Sequence, residues 1–199
     1  MDLRPGLSIL ALAAAFRLAD PAEAGCARPL AFGWNHWPPY QIATDGAPTG
    51  IDPAIVTSLA DGTGCEVQWV RAPWKRQLDL LADGALDAVL TANHTQARAR
   101  YGTFSRPYMN YKAILWTAHA KANRSFRSLH TYLETGRRVG VARGYSYGPH
   151  TDAVLRLPRY DDQVVVNDSV ESNVLMLAKR RLDGLLGNRH TVAYLARQK

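Results

Sequence analysis

Between residues 29 and 90, short apolar runs alternate with segments of helical periodicity, joined for the most part by connections of a few residues. A chain patterned this way folds as α/β on a parallel sheet, because each helix has to cross back over the sheet that it covers. Pro29-Leu30-Ala31-Phe32-Gly33-Trp34 reads as the first strand, broken by Pro38-Pro39 into an extended loop. Gly50-Ile51-Asp52-Pro53 starts a helix with Asp52 as cap and Pro53 in the first turn; Ile55, Val56 and Leu59 supply its apolar stripe, and Gly62 and Gly64 end it. Cys65 to Val70 alternates as a second strand. Pro73-Trp74 opens a second helix that turns Leu78, Leu81 and Ala82 inward and ends at Gly84, and Leu86 to Leu90 is the third strand. Ligands on sheets of this kind gather at the carboxyl ends of the strands.

A second βα series follows the alternating segment Tyr108 to Thr117, which suits a strand leaving one lobe for another. Arg138 to Ala142 is a strand, Arg143 to Pro149 a turn into a helix reaching Leu157, and Gln163 to Val166 another strand. Asp168-Ser169-Val170-Glu171 has the form of a capping box, with Val170, Val174 and Leu177 at helical spacing behind it. Asp183 to Gly187 closes the series as a strand, and His190 to Arg197 reads as helical. The division expected is a first lobe over residues 25–112 and a second over 113–199.

Residues 1–24 read as an export signal: Arg4 precedes the apolar run Leu7 to Phe16, and Ala22-Glu23-Ala24 fits a small-x-small cleavage site. That run is too short to span a bilayer, which takes about 20 apolar residues. An amphipathic N-terminus is the alternative, since Arg17 and Asp20 interrupt the cleavage region. Two cysteines agree with an oxidising compartment, and adjacent parallel strands would bring Cys26 and Cys65 together as a disulfide. Closing a loop of about 40 residues stabilises the fold by roughly 3 to 4 kcal/mol in the chain-entropy model. Lipidation of Cys26 fits less well, because it would leave Cys65 unpaired.

The formal net charge is +7, and only five of the 24 basic residues are Lys; the Arg residues are scattered rather than set in an aromatic-interleaved stripe. Nucleic-acid binding is therefore not expected, whereas the field favours an anionic small ligand. GxSxG, HExxH, Walker and GxGxxG motifs are absent. The six His form no i,i+4 pair, so neither a metal nor a cofactor is expected.

Recognition groups do collect at the predicted strand ends: Trp37-Pro38-Pro39-Tyr40 after the first, Trp74 after the second, and Thr91 to Arg98 after the third. Flat aromatic faces can sandwich a small organic molecule, and a guanidinium holds a carboxylate through two parallel hydrogen bonds. Ordinary edge packing accounts equally well for Trp37, Tyr40 or Trp74 taken singly, and a surface position for Arg98. Across from them, the Gly144-Tyr145-Ser146 turn leads into a helix N-terminus whose free N–H groups suit an anion.

With Trp37-Pro38-Pro39-Tyr40, Gly50-Ile51-Asp52, Pro73-Trp74-Lys75-Arg76, Gly84-x-Leu86-Asp87-Ala88, Thr95-x-x-Arg98, Phe104 to Tyr108 and Val139-Gly140-Val141-x-x-Gly144 in this order, the chain resembles the bacterial extracellular solute-binding proteins of the polar amino acid type. The resemblance runs from about Pro29 to Tyr194. It implies the two-lobed type II periplasmic-binding-protein fold, with parallel-sheet lobes joined by a hinge. It also implies binding without catalysis, in the periplasm, of an amino acid or other small carboxylate for an ABC transporter permease. By resemblance, Arg98 binds the ligand carboxylate, Thr91 and Asn93 hydrogen-bond beside it, Tyr40 and Trp74 stack on the ligand, and Ser146 contacts it from lobe two. Asn188 stands where amino-acid binders of the family usually carry the Asp that holds the ligand ammonium. Such proteins usually return to lobe one across a second hinge strand, so a chain ending at Lys199 is expected to be truncated. A dehydratase or lytic transglycosylase on the same scaffold, or the ligand-sensing domain of a signalling system, are the alternatives that the resemblance implies.

Overall fold

The computed structural model describes residues 25–110, 112–118 and 126–198, so the expected export signal lies outside the described residues. The chain forms two sheets. The first has β1 (Leu30–Trp34) in the middle, flanked by β2 (Val67–Arg71) and the short β3 (Ala88–Val89), all parallel. Helices α1 (Ile51–Thr63) and α2 (Trp74–Ala82) form the two crossovers. The second sheet has the order β4-β7-β5-β6, from β4 (Ala113–Thr117), β5 (Val139–Ala142), β6 (Val164–Asn167) and β7 (Gly184–Asn188), connected or followed by α3 (Leu129–Leu133), α4 (Pro149–Leu155), α5 (Val170–Ala178) and α6 (Arg189–Arg197).

Four expectations are corrected. The second sheet is mixed: β5 is parallel to β6 and β7, but β4 runs antiparallel to β7, because it enters directly from the first sheet with no crossover helix before it. In α1 the buried residues are Asp52, Pro53, Val56 and Ala60, while Ile55 and Leu59 are exposed. Asp52 does not cap this helix; Gly50 takes the cap position at φ 113°, and a Cβ there would come within 2.5 Å of the Tyr40 carbonyl oxygen. In α2, Leu78 is buried but Ala82 is exposed, and the inward polar residue is Gln77, which donates to Asn35 Oδ1 and to the Ala72 carbonyl at 3.0 and 2.8 Å.

Local chemistry also reassigns one cap. Ser169, not Asp168, caps α5 by accepting from Ser172 N at 3.0 Å, and Asp168 instead pairs with Arg143 at 2.7 Å. Helix α3 was not apparent from periodicity; the reciprocal Ser128 and Thr131 capping box holds it.

Cys26 and Cys65 are disulfide-bonded with Cα atoms 4.9 Å apart, as expected. Arg28 and Asp87 form a two-pronged ion pair at 2.7 and 2.6 Å, and Asp87 also accepts from Ala31 N; the pair holds the Asp87 pKa at about 2. One apolar core lies within the second sheet's layers, around Tyr132, Leu133, Val139, Val141 and Leu186. Another joins Trp37 and Tyr40, from the loop after β1, to Val174, Leu185, Val192 and Leu195. The two sheets are thereby held against each other at one end. No described helix is long and apolar enough to cross a membrane.

Candidate functional site

The carboxyl ends of β1 and β3 and the N-terminus of α2 face the turn after β5, and a cavity of about 30 Å³ lies between them. Trp37, Trp74 and Tyr145 give it aromatic walls; Gln41, Thr91, Asn93, Arg98 and Ser146 supply most of its polar groups. Arg98 and Asn93 also border two larger hollows on either side, of about 950 and 1350 Å³.

Arg98 sits in a short 3-10 turn whose start is fixed by Thr95 Oγ1 accepting from Arg98 N at 3.2 Å. It is 7% exposed, so this guanidinium does not point into bulk water. Nη1 donates to the Asn93 carbonyl at 2.6 Å and Nη2 to the Gly144 carbonyl at 2.9 Å, and the group lies 5.3 Å from the Trp74 ring centroid. It has no carboxylate within ion-pair distance among the described residues. Burial lowers its pKa from the ordinary arginine value, opposed by Tyr101, Asp152 and Tyr145. Arginine stays charged regardless, and two bonds leave part of its five-donor fork available. A buried cation of this kind is a strong carboxylate receptor.

Three hydrogen bonds bridge the two sheets here. Trp74 Nε1 and Arg98 Nη2 both donate to the Gly144 carbonyl, at 3.0 and 2.9 Å, and Asn93 Nδ2 donates to the Ser146 carbonyl at 2.9 Å. Gly144 adopts φ 75°, which turns its carbonyl toward the first sheet.

The sequence-predicted residues divide. Trp74, Thr91, Asn93, Arg98 and Ser146 line the cavity together. Tyr40 does not: it is buried against Trp37 with ring centroids 4.6 Å apart, and Trp37 is the aromatic residue that reaches the cavity. Asn188 does not reach it either. Its Oδ1 caps α6 by accepting from His190 N and Thr191 N, and the side chain is hydrogen-bonded to Tyr40. Ser146 lines the cavity, but its hydroxyl donates to Asp152 at 2.7 Å, and Tyr147 N donates to the same carboxylate at 2.8 Å. The anion expected at this turn is thus supplied partly by the chain itself.

Asp52 was missed as more than a cap. It is 1% exposed and accepts from Gln41 Nε2 at 2.8 Å, Thr91 Oγ1 at 2.5 Å and Tyr108 OH at 3.4 Å. Burial raises its pKa above the ordinary carboxyl value, and those three donors work against the rise. Thr91 itself adopts φ 52°, an uncommon conformation for a β-branched residue, and its N–H donates to Tyr108 OH at 3.1 Å. Asp52 therefore lies directly behind the cavity wall and fixes two of the residues that form it. The Gly50-Ile51-Asp52 motif marks the position in the sequence, but nothing in the spacing distinguishes a cap from a buried acceptor. No group of His, Cys, Asp or Glu suited to a metal occurs among the described residues.

Residues 31–182 match the model of a family described as bacterial extracellular solute-binding proteins, family 3. Among solved structures, an ancestral arginine-binding protein bound to glutamine is similar at 22% identity and a TM-score of 0.71, over 85% of this chain and 73% of that one. A histidine kinase sensor domain with similarity to periplasmic binding proteins superposes with a TM-score of 0.74 at 18% identity, over 86% of this chain and 72% of that one. An ancestral amino acid-binding protein, a precursor of cyclohexadienyl dehydratase, gives 0.69 at 19% identity, over 85% and 74%. No curated protein matches the chain in sequence.

Proposed function

We propose, for a chain that belongs to the bacterial extracellular solute-binding proteins of family 3, that it captures an amino acid or other small carboxylate between its two lobes, with Arg98 as the carboxylate receptor. The observation that carries this reading is the Arg98 guanidinium, buried between the sheets, bordered by aromatic rings and bonded to neutral carbonyls rather than to an acid. A ligand carboxylate gives it the charge-assisted partner that the chain does not. The cavity between the lobes holds little more than a water or two, so capture takes place by parting and reclosing of the lobes. Thr91, Asn93 and Ser146 stand beside the carboxylate, and Trp37 and Trp74 flank the remainder of the ligand.

Residues 1–24 as an export signal and the Cys26–Cys65 disulfide support a periplasmic location, with an ABC transporter permease as the receiving partner. A pull-down with the bound chain, scored for a permease against a signalling protein, separates import from sensing.

Binding is tested by a thermal-shift screen across amino acids, dicarboxylates and amines, since a ligand that binds only the folded chain raises its Tm by mass action. Arg98→Ala is expected to weaken the best ligand by at least tenfold, from the loss of about 2 kcal/mol or more of a desolvated charge pair. A smaller change removes Arg98 from the role. The alternative, an enzyme on this scaffold, needs a carboxylic acid within reach of the ligand, whereas Asp52, a buried acid with a raised pKa, lies behind the cavity wall and is held by Gln41, Thr91 and Tyr108. Recovery of the ligand unchanged after prolonged incubation eliminates it; conversion establishes it.

A further inference from the structure

The polar wall of the cavity is one-sided. Arg98 is cationic, Asn35, Gln41, Thr91, Asn93 and Ser146 are neutral, and no carboxylate lines the cavity among the described residues. The two nearby acids are both committed. Asp52 lies behind Gln41 and Thr91, holding the amide of one and the hydroxyl of the other. Asp152 accepts the Ser146 hydroxyl and the Tyr147 N–H, and borders the larger flanking hollow rather than the cavity itself. Asn188 faces Tyr40 and the start of α6.

An α-amino acid presents its ammonium one carbon away from its carboxylate. Seated on Arg98, that ammonium would lie beside a second cation in a desolvated space, met by amide and hydroxyl dipoles and by the Trp37 and Tyr145 rings but by no carboxylate of the cavity wall. The Trp74 ring is already covered by the Arg98 guanidinium. Gln41 cannot swing to offer its oxygen without giving up the Asn35 N–H, which it accepts at 3.1 Å. A 2-oxo or 2-hydroxy group at the same carbon carries no charge and is met well by the donors and acceptors present. We propose that this cleft selects monocarboxylates without an α-ammonium, 2-oxo or 2-hydroxy acids with an apolar or aromatic remainder that Trp37 and the flanking hollows accommodate. The inference rests on carboxylate capture by Arg98 and narrows the solute class of that same site.

The test uses matched triplets, the 2-amino, 2-hydroxy and 2-oxo acids sharing the side chain of alanine, leucine or phenylalanine, titrated calorimetrically into the wild-type chain and into Arg98→Ala and Arg98→Lys. The oxo or hydroxy member of at least one triplet is expected to bind at least tenfold more tightly than its amino partner, and to lose at least tenfold in both variants. Should Arg98→Ala not fold, Arg98→Lys, which keeps the charge and loses the two-pronged fork, carries the comparison. Amino members that bind as tightly as their partners or more so, with the same dependence on Arg98, overturn the selectivity and leave carboxylate capture standing. Absence of binding by every member, or binding indifferent to both variants, overturns the capture reading and the selectivity with it.

Discussion

Asp52 is a single residue on which three segments converge: the loop after β1 through Gln41, the end of β3 through Thr91, and the connection toward β4 through Tyr108. Its raised pKa has a definite sign. The folded chain holds this proton more tightly than the unfolded chain, so the stability falls as pH rises from the ordinary carboxyl value, about 4, through the raised one. Above that window the buried charge is a constant cost. Asp52→Asn removes the titration, so the wild-type unfolding free energy minus that of the variant is expected to decline with pH across the window and to level off beyond it. Urea unfolding at a series of pH values measures this, and a difference independent of pH sinks it. Asn188 separates a structural role from a ligand role in another way. Because its side-chain oxygen caps α6, Asn188→Ala is expected to destabilise the fold by about 1 kcal/mol while changing ligand affinity less than threefold. A large affinity loss at unchanged stability would return Asn188 to the cleft.

At the scale of elements, periodicity and turn chemistry located most helices and strands because those signals are local: glycine-ended helices, proline-broken strands, β-branched runs. Rotation about an element's axis is not local. The buried hydrogen bonds of Asp52 turn Asp52, Val56 and Ala60 inward and leave Ile51, Ile55 and Leu59 exposed, although the apolar pattern alone favours a face that includes Ile55 and Leu59. The direction of β4 is likewise set by what it pairs with, 71 residues further along at the centre of the register, where Leu115 meets Leu186. In the cleft, the Trp37-Pro38-Pro39-Tyr40 motif was legible, but which of its two aromatic residues faces the cavity depends on packing against Val192 and Leu195 far away in sequence. Arg98, Thr91 and Asn93 were legible because one strand end delivers all three. The disulfide also belongs to this scale, since it ties the segment before β1 to the start of β2. Replacing Cys26 and Cys65 by Ser is expected to lower stability by about 4 kcal/mol, the chain-entropy value for a loop of this length, with ligand affinity unchanged so long as the chain remains folded. A loss below 1 kcal/mol in denaturant unfolding would mean that the unfolded chain is already constrained there.

Over the whole molecule, the two sheets are joined at one end by the Trp37 and Tyr40 core and across the cleft by bonds to the turn after β5. The first is a broad apolar contact, the second a few hydrogen bonds, each worth about 1 kcal/mol net. Opening at the cleft while the apolar end holds is therefore the less costly motion, and the Gly144 carbonyl, which accepts from both Trp74 and Arg98, is the point at which closure is regained. Trp74→Phe removes one donor and keeps a ring in place, so ligand affinity is expected to fall about fivefold, mainly through faster dissociation. Gly144→Ala acts on the acceptor. Its φ of 75° is strained for any L side chain, so the substitution shifts the turn that presents the carbonyl, while the added Cβ would meet Lys75 across the cleft at 3.4 Å, an ordinary van der Waals distance. Affinity should fall again, and the radius of gyration from small-angle scattering should rise toward an open form. Because both substitutions act on the same carbonyl, the double variant is expected to lose less than the sum of the two single losses. Strict additivity of the free energies would show that the carbonyl does not couple the two lobes and that closure depends on another contact.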